Sequence, residues 1–430
     1  MQLNSSRRFL AVFTVCALAF ALVSASSRAA DAEAPGGRAN IRPSLVQLAP
    51  GGTQAFRAVF EPGWLHEARV ADTVSWAVNG IPGGNESLGT IDKNGLYRAP
   101  GQAPRPCEVH VCATVDGALN PHLWATVVVG TAAPAYELVA KWEEAADGSG
   151  RLKDPLDIAL DRDGNLLISD GGLSQVLRFT AKGEFLGSIG EGGGNTPGHF
   201  GELRNVDVDG EGRIVACDMR TGPPRIQVFD NGGKLLHAFA LKGVGPGQIM
   251  QPAGLAFDPA GRIFAADADN MLVNVYEQDG TFVEAWRRNG VRPGDLNEPY
   301  GAAADRNGDV FVPNYYGPCQ KFTGKGEFLL AFAQPDPPDG PVAITSAAGD
   351  QWGNVFLAVR DTAGLVQNSA NPEPKPARIM KFNNNGDLVT SLALWDDERG
   401  ENKTAVDGHD RLYVLFKRVN TVGVAIFEAR

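Results

Sequence analysis

Apolar and polar positions alternate along most of this chain in short runs, a period of two that predicts strands rather than helices. From residue 136 the runs repeat in a fixed order. Each unit opens on a run ending in Asp before a Gly turn: "PLDIALDRDG" (155–164), "LRNVDVDGEG" (203–212), "PAGLAFDPAG" (252–261) and "PYGAAADRNG" (299–308). "ITSAAGDQWG" (344–353) and "ENKTAVDGHD" (401–410) are degraded copies, the latter with Asp410 where Gly is expected. The anchors Asp161, Asp209, Asp258, Asp305, Asp350 and Asp407 lie 48, 49, 47, 45 and 57 residues apart.

A second strand follows each anchor ("NLLIS", "RIVAC", "RIFAA", "DVFVP", "NVFLA", "RLYVL"), then a third ("QVLRF", "RIQVF", "LVNVY", "CQKF", "RIMKF", "VAIF"). A fourth closes most units, as in "EFLGSI" and "TFVEAW". Four strands per unit is one propeller blade. The sixth unit reaches Arg430 without its fourth strand, and "YELVAKW" (136–142) has that strand's pattern. The expectation is an all-β chain: a β-sandwich, then a six-bladed β-propeller over 136–430 that the N-terminal strand closes, removing a sheet edge.

The sandwich is expected over 38–131, where "TQAFRAVF", "TVSWAVNG", "CEVHVCATV" and "LWATVVV" alternate between turn residues. "SWAVNGIPGGN" with "GTIDKNGLYRAP" resembles bacterial Ig-like domains, which implies a spacer or adhesive module without chemistry. The unit "P-x-G-I/L-A-x-D…G-R-I-F-A-A-D" resembles NHL repeats. That resemblance implies a six-bladed propeller and leaves its activity open, because the fold hosts binding modules, sensors, lactonases and lyases.

The start of the chain pairs Arg7 and Arg8 with an apolar run from Phe9 to Val23 and the small residues Val23-Ser24-Ala25. This pattern marks 1–25 as an export signal and 26–37 as a linker. It predicts a periplasmic or extracellular protein, with no transmembrane segment after cleavage. "SRRFL" leaves the Sec and twin-arginine routes both open. A net charge of −11 excludes a broad basic face for nucleic acid. Cys107 and Cys112, five apart on one strand, point to opposite faces and do not pair.

In a propeller the loops from strand four to one and from strand two to three share a face around the central channel, where ligands collect. Here that face carries Asp157, Arg204, Asn205 and Tyr300 from one loop set. The other set supplies Asp269, Tyr315, Tyr316 and Arg360, with Lys417 at the rim. These residues are the expected contacts for a protein or glycan ligand, held by a monomer with no cofactor. The acidic and basic sides of the rim either orient a polar partner or pair as a stabilising network. The insertion 360–377 is a contact loop or a tolerated one. The alternative is a calcium-dependent hydrolase of the lactonase kind, or a lyase, with Asp170, Asp218, Asp267 and Asn314 as oxygen ligands. The propeller's only histidines, His199, His237 and His409, lack ligand spacing. No G-x-S-x-G elbow, H-E-x-x-H helix or phosphate loop occurs.

Overall fold

A computed structural model describes residues 37–430 except 61–68, 72, 132–133, 146–148, 219–224, 241, 288, 291, 316, 334–341, 362–375, 396–401 and 419. The expected export signal, Tyr316 and most of the 360–377 insertion fall outside the described residues. The described secondary structure is β throughout.

Six four-stranded antiparallel sheets follow one another along the chain and form a β-propeller. Blade 1 is typical: Pro155–Leu160, Leu166–Asp170, Gln175–Phe179 and Phe185–Ile189, paired in that order. The first strand of every blade lies innermost and touches the first strand of the next, and that of blade 6 (Lys403–Val406) touches that of blade 1. Tyr136–Ala145 runs antiparallel to Thr421–Ala429, so blade 6 is assembled from two distant parts of the chain. Apolar clusters such as Phe264, Val275, Trp286, Val312 and Phe322 sit between neighbouring blades rather than in one centre.

The six anchor aspartates do one job. Asp258 Oδ1 accepts from the Ala260 and Arg262 amides at 3.0 and 2.9 Å, and Oδ2 from Arg262 Nε at 2.8 Å. Asp161, Asp209, Asp305, Asp350 and Asp407 cap their own turns with the same spacing. Each fixes the hairpin between the first and second strands. The turn requires a left-handed residue, and Gly261 supplies it at φ 83°. In blade 6 Asp410 takes that conformation at φ 61°, which Asp tolerates better than most residues.

The N-terminal domain packs three small sheets around one core that includes Ile41, Phe56, Tyr97, Val109, Val111 and Val127. It is more than a spacer, because it is docked on the propeller's turn face at blades 4 to 6. Lys381, in the third strand of blade 5, donates to Glu108 Oε1 at 2.7 Å and lies 3.7 Å from Asp350 Oδ2. Lys381 and Glu108 side chains are 2% and 3% exposed. Burial alone would push the ammonium down, but Glu108 and Asp350 hold it well above the usual lysine range. His110 stacks on Trp352 at 5.1 Å, and burial lowers it to about 3, so it is neutral. Trp352 Nε1 donates to Asp410 at 3.0 Å. Lys321 repeats the motif in blade 4, 3.1 Å from Asp305 and 3.2 Å from Asp309. Arg38 of the N-terminal domain also pairs with Asp309.

Candidate functional site

The inner strands converge on a central channel of about 470 Å³. Each inner strand has a hydrogen-bonded neighbour on one side only, so its other edge turns backbone N–H and C=O groups toward the channel. Six such edges make a polar wall.

One end of the channel is ringed by the third residue of each repeat's opening run: Asp157, Asn205, Gly254, Gly301, Ser346 and Lys403. Asp157 Oδ2 accepts from Asn205 Nδ2 at 3.2 Å and the Val206 amide at 3.3 Å. Asn205 donates onward to Ala253 O at 3.2 Å. Ser346 and Thr404 share a 3.1 Å hydrogen bond across the next blade boundary. Burial raises Asp157, and the Lys403 ammonium and the Asn205 amide pull it back. Lys403 is 3% exposed and donates to Thr345 O at 2.6 Å.

Above this ring sits an aromatic and cationic cluster on the loop face. Tyr300 and Tyr315 have ring centroids 4.6 Å apart, tilted by 54°. The Arg204 guanidinium lies 5.6 Å from the Tyr300 centroid and donates to its hydroxyl. Arg360 does the same for Tyr315 at 5.7 Å, and Lys403 Nζ lies 5.2 Å from the Tyr300 ring. Backbone bonds fix the pair: Tyr300 N to Pro313 O and Tyr315 N to Glu298 O, both 2.9 Å. Tyr315 is only 9% exposed, so it supports Tyr300 and Arg360 rather than meeting a partner. Arg204, Tyr300 and Arg360 keep part of their surface open. The two guanidinium groups beside the phenols can present planar donors to a carboxylate or a sugar hydroxyl, with the buried Lys403 ammonium adding positive charge beneath them.

The structure therefore gathers Asp157, Asn205, Tyr300, Tyr315 and Arg360 at one end of the channel. Asp269 lies exposed in the turn after Ile263–Asp267. Lys417 bonds Asp154 at 2.5 Å, joining blade 6 to blade 1. At that point acid and base pair across the rim, as the network reading expects.

Asp170, Asp218, Asp267 and Asn314 do not fit as calcium ligands. Asp267 accepts from the Met250, Gln251 and Asn270 amides at 2.8, 2.9 and 3.3 Å. Asp170 takes the Lys153, Asp154 and Leu173 amides at 2.7, 3.1 and 3.0 Å. Asn314 Oδ1 takes the Asn297 amide at 3.1 Å. Asp218 pairs with Arg225 at 3.1 Å, although burial still lifts it to about 6. In Asp170, Asp267 and Asn314 these oxygens face donors in the loop that enters the blade, so they pin that loop to the second strand, whereas Asp218 pairs forward to Arg225 and its Oδ1 has no hydrogen-bond partner. A calcium site needs six to eight converging oxygens, and no three His, Cys, Asp or Glu among the described residues group that way. Chelator is accordingly expected to leave the melting temperature of the purified protein unchanged. A drop of several degrees in EDTA, restored by calcium, would return these carboxylates to a metal site.

Two features escaped the sequence reading. Asp207 lines the channel at an aligned position where the other five blades carry Ala159, Ala256, Ala303, Ala348 and Ala405. That one odd residue in six copies was its signal. Lys321 and Lys381 stand in third strands that are otherwise apolar next to the closing Phe, except for Arg178 in blade 1.

The sequence matches no protein-family profile and no curated protein. Solved structures similar in fold include a streptogramin B lyase, 12% identical over 67% of this chain and 98% of its own, TM-score 0.45. An aldose sugar dehydrogenase from Streptomyces coelicolor is 15% identical over 70% of this chain and 99% of its own, TM-score 0.47. A gluconolactonase from Xanthomonas campestris is 16% identical over 69% of this chain and 97% of its own, TM-score 0.45. Likenesses this loose say nothing of what the chain does.

Proposed function

We propose that this chain is an exported, non-catalytic binding protein: an Ig-like sandwich joined to a six-bladed NHL-type propeller closed by its N-terminal strand. Its loop face recognises an envelope or extracellular ligand, a glycan or a protein. The observation that carries the reading is the convergence of Arg204, Tyr300 and Arg360, from three different blades, over one end of the channel. Strands hold Arg204 and Arg360, and the 2.9 Å bond from Tyr300 N to Pro313 O holds Tyr300, so the surface is formed before a ligand arrives. Replacing Arg204 and Arg360 together by Ala is expected to weaken capture on a glycan array or from envelope extract at least tenfold, with the melting temperature little changed. Equal capture by the folded double variant would remove the loop face from the function.

A second reading, hydrolase or lyase, has one observation in its favour. Asp157 is a half-buried carboxyl whose charge is offset by Lys403 at one end of the channel, a setting suited to proton transfer. Turnover of a lactone or ester panel, abolished by Asp157→Asn, would replace the binding reading with this one.

A further inference from the structure

The channel has two unlike ends. At the loop face its wall stops at Asp157, Asn205, Tyr300, Ser346 and Lys403, and Arg204 lies across Tyr300 beyond them. At the other end the wall runs out to Gly210, Pro259 and Arg306, all exposed in the turns between first and second strands. The cavity therefore opens on the turn face, beside the docked N-terminal domain, which reaches the same turns through His122 and Asn307 at 2.7 and 3.1 Å.

Midway along, the fifth residue of each repeat's opening run is alanine in five blades and Asp207 in blade 2. The small alanine side chains leave this level open, and its wall is largely strand-edge backbone. Asp207 Oδ1 accepts from the Val208 amide at 2.8 Å, and no described cation forms an ion pair with it. The charges that act on it most are those of acids, Asp157 on blade 1 and Asp209 in its own hairpin. Lys403, on blade 6, stands at the closed end and is engaged with Thr345. A carboxylate without a counter-charge in a protein-walled space is unfavourable, and nothing in blade packing calls for it, since five blades do without. An incoming cation with N–H donors would satisfy it.

We propose that the channel is a second binding site, entered from the turn face, for a small molecule bearing an alkylammonium group. The ammonium rests on the Asp207 carboxylate and the short alkyl part fits in the space that the small residues at the level of Ala159, Ala256 and Ala348 leave open. The volume suits a small molecule. The site is separate from the loop-face cluster, so either can fail without the other.

Asp207 remains partly open to the lumen, yet the narrow walls starve it of water and push its carboxyl up to about 7, with Asp157 and Asp209 adding to the rise. Binding must then follow its ionisation. The probe is n-butylammonium, with n-butanol as uncharged control, titrated calorimetrically into the full protein at pH 8 and pH 6. One saturable site is expected for the ammonium and none for the alcohol, with affinity about tenfold weaker at pH 6, where the acid holds its proton. Asp207→Asn, of the same size, and Asp207→Ala, which completes the alanine ring, are both expected to abolish binding while staying folded. Gly210→Trp, built at an open turn position, is expected to block entry. No saturable ammonium binding at pH 8, equal binding of butanol, or binding that survives both Asp207 variants overturns the site. Undiminished binding and rate in Gly210→Trp overturns the turn-face entrance.

Discussion

Lys381→Met is expected to destabilise the protein by about 3–5 kcal/mol, because it leaves buried carboxylates without their cation. Glu108 and Asp350 both lie within ion-pair reach of the Lys381 ammonium, and the other group near Glu108, His110 at 3.4 Å, is neutral. Glu108 Oε2 already has no hydrogen-bond partner, so the group cannot absorb a further loss. In a chain of this size the change corresponds to a fall in melting temperature of roughly 10 °C. The companion variant Glu108→Leu with Lys381→Met replaces the pair by apolar groups and is expected to recover a good part of the loss. The coupling matters more than either single value. Glu108 belongs to the N-terminal domain and Lys381 to blade 5, 273 residues away. A domain tethered as a loose spacer would show no coupling between them, and a cycle that adds within about 0.5 kcal/mol would undo the docked arrangement.

The docked face also shows where sequence reading stops. Blade register was legible because the same turn chemistry recurs: an Asp that caps its own hairpin needs the same spacing each time, and Asp161 and Asp258 could be aligned without knowing what surrounds them. The second-strand aspartates recurred too, and in the structure Asp170 and Asp267 accept from amides of the incoming loop, as turn residues do. The gathering of Tyr300, Tyr315 and Arg360 on one face was legible from topology, since propeller connectivity brings those loops together whatever their sequence. Contacts between segments with no repeat relation were not legible. Nothing in "RIMKF" says that its Lys meets Glu108, and a His at position 110 reads the same whether it faces solvent or stacks on Trp352. Asp207 lay between these cases. Its departure from alanine was visible in the alignment of units, but the meaning needed the channel.

The seam of the ring carries the last prediction. Five blades are hairpin-connected throughout, so each of their strands has its neighbour close in sequence. Blade 6 instead pairs Tyr136–Ala145 with Thr421–Ala429, and closing that long loop carries an entropic cost that local hairpins avoid. Gly423 sits within this pairing, in register with Glu143 on one side and Phe416 on the other. A Cβ there would lie 2.1 Å from the Trp142 carbonyl oxygen and 2.7 Å from the Glu143 Cα. Both are backbone atoms, which cannot rotate away as a side chain can, so the strands must part. Gly423→Val is expected to cost about 2–3 kcal/mol and to lower the melting temperature by roughly 5–10 °C. Gly408→Val, where a Cβ meets nothing within 4 Å, should stay near the wild type. Hydrogen exchange separates a seam effect from general loosening. Amides of 136–145 and 421–429 should exchange faster in Gly423→Val, while those of blades 2 to 4 keep their protection. Uniform loss of protection, or melting that matches Gly408→Val, would mean that this strand pair does not hold the ring closed.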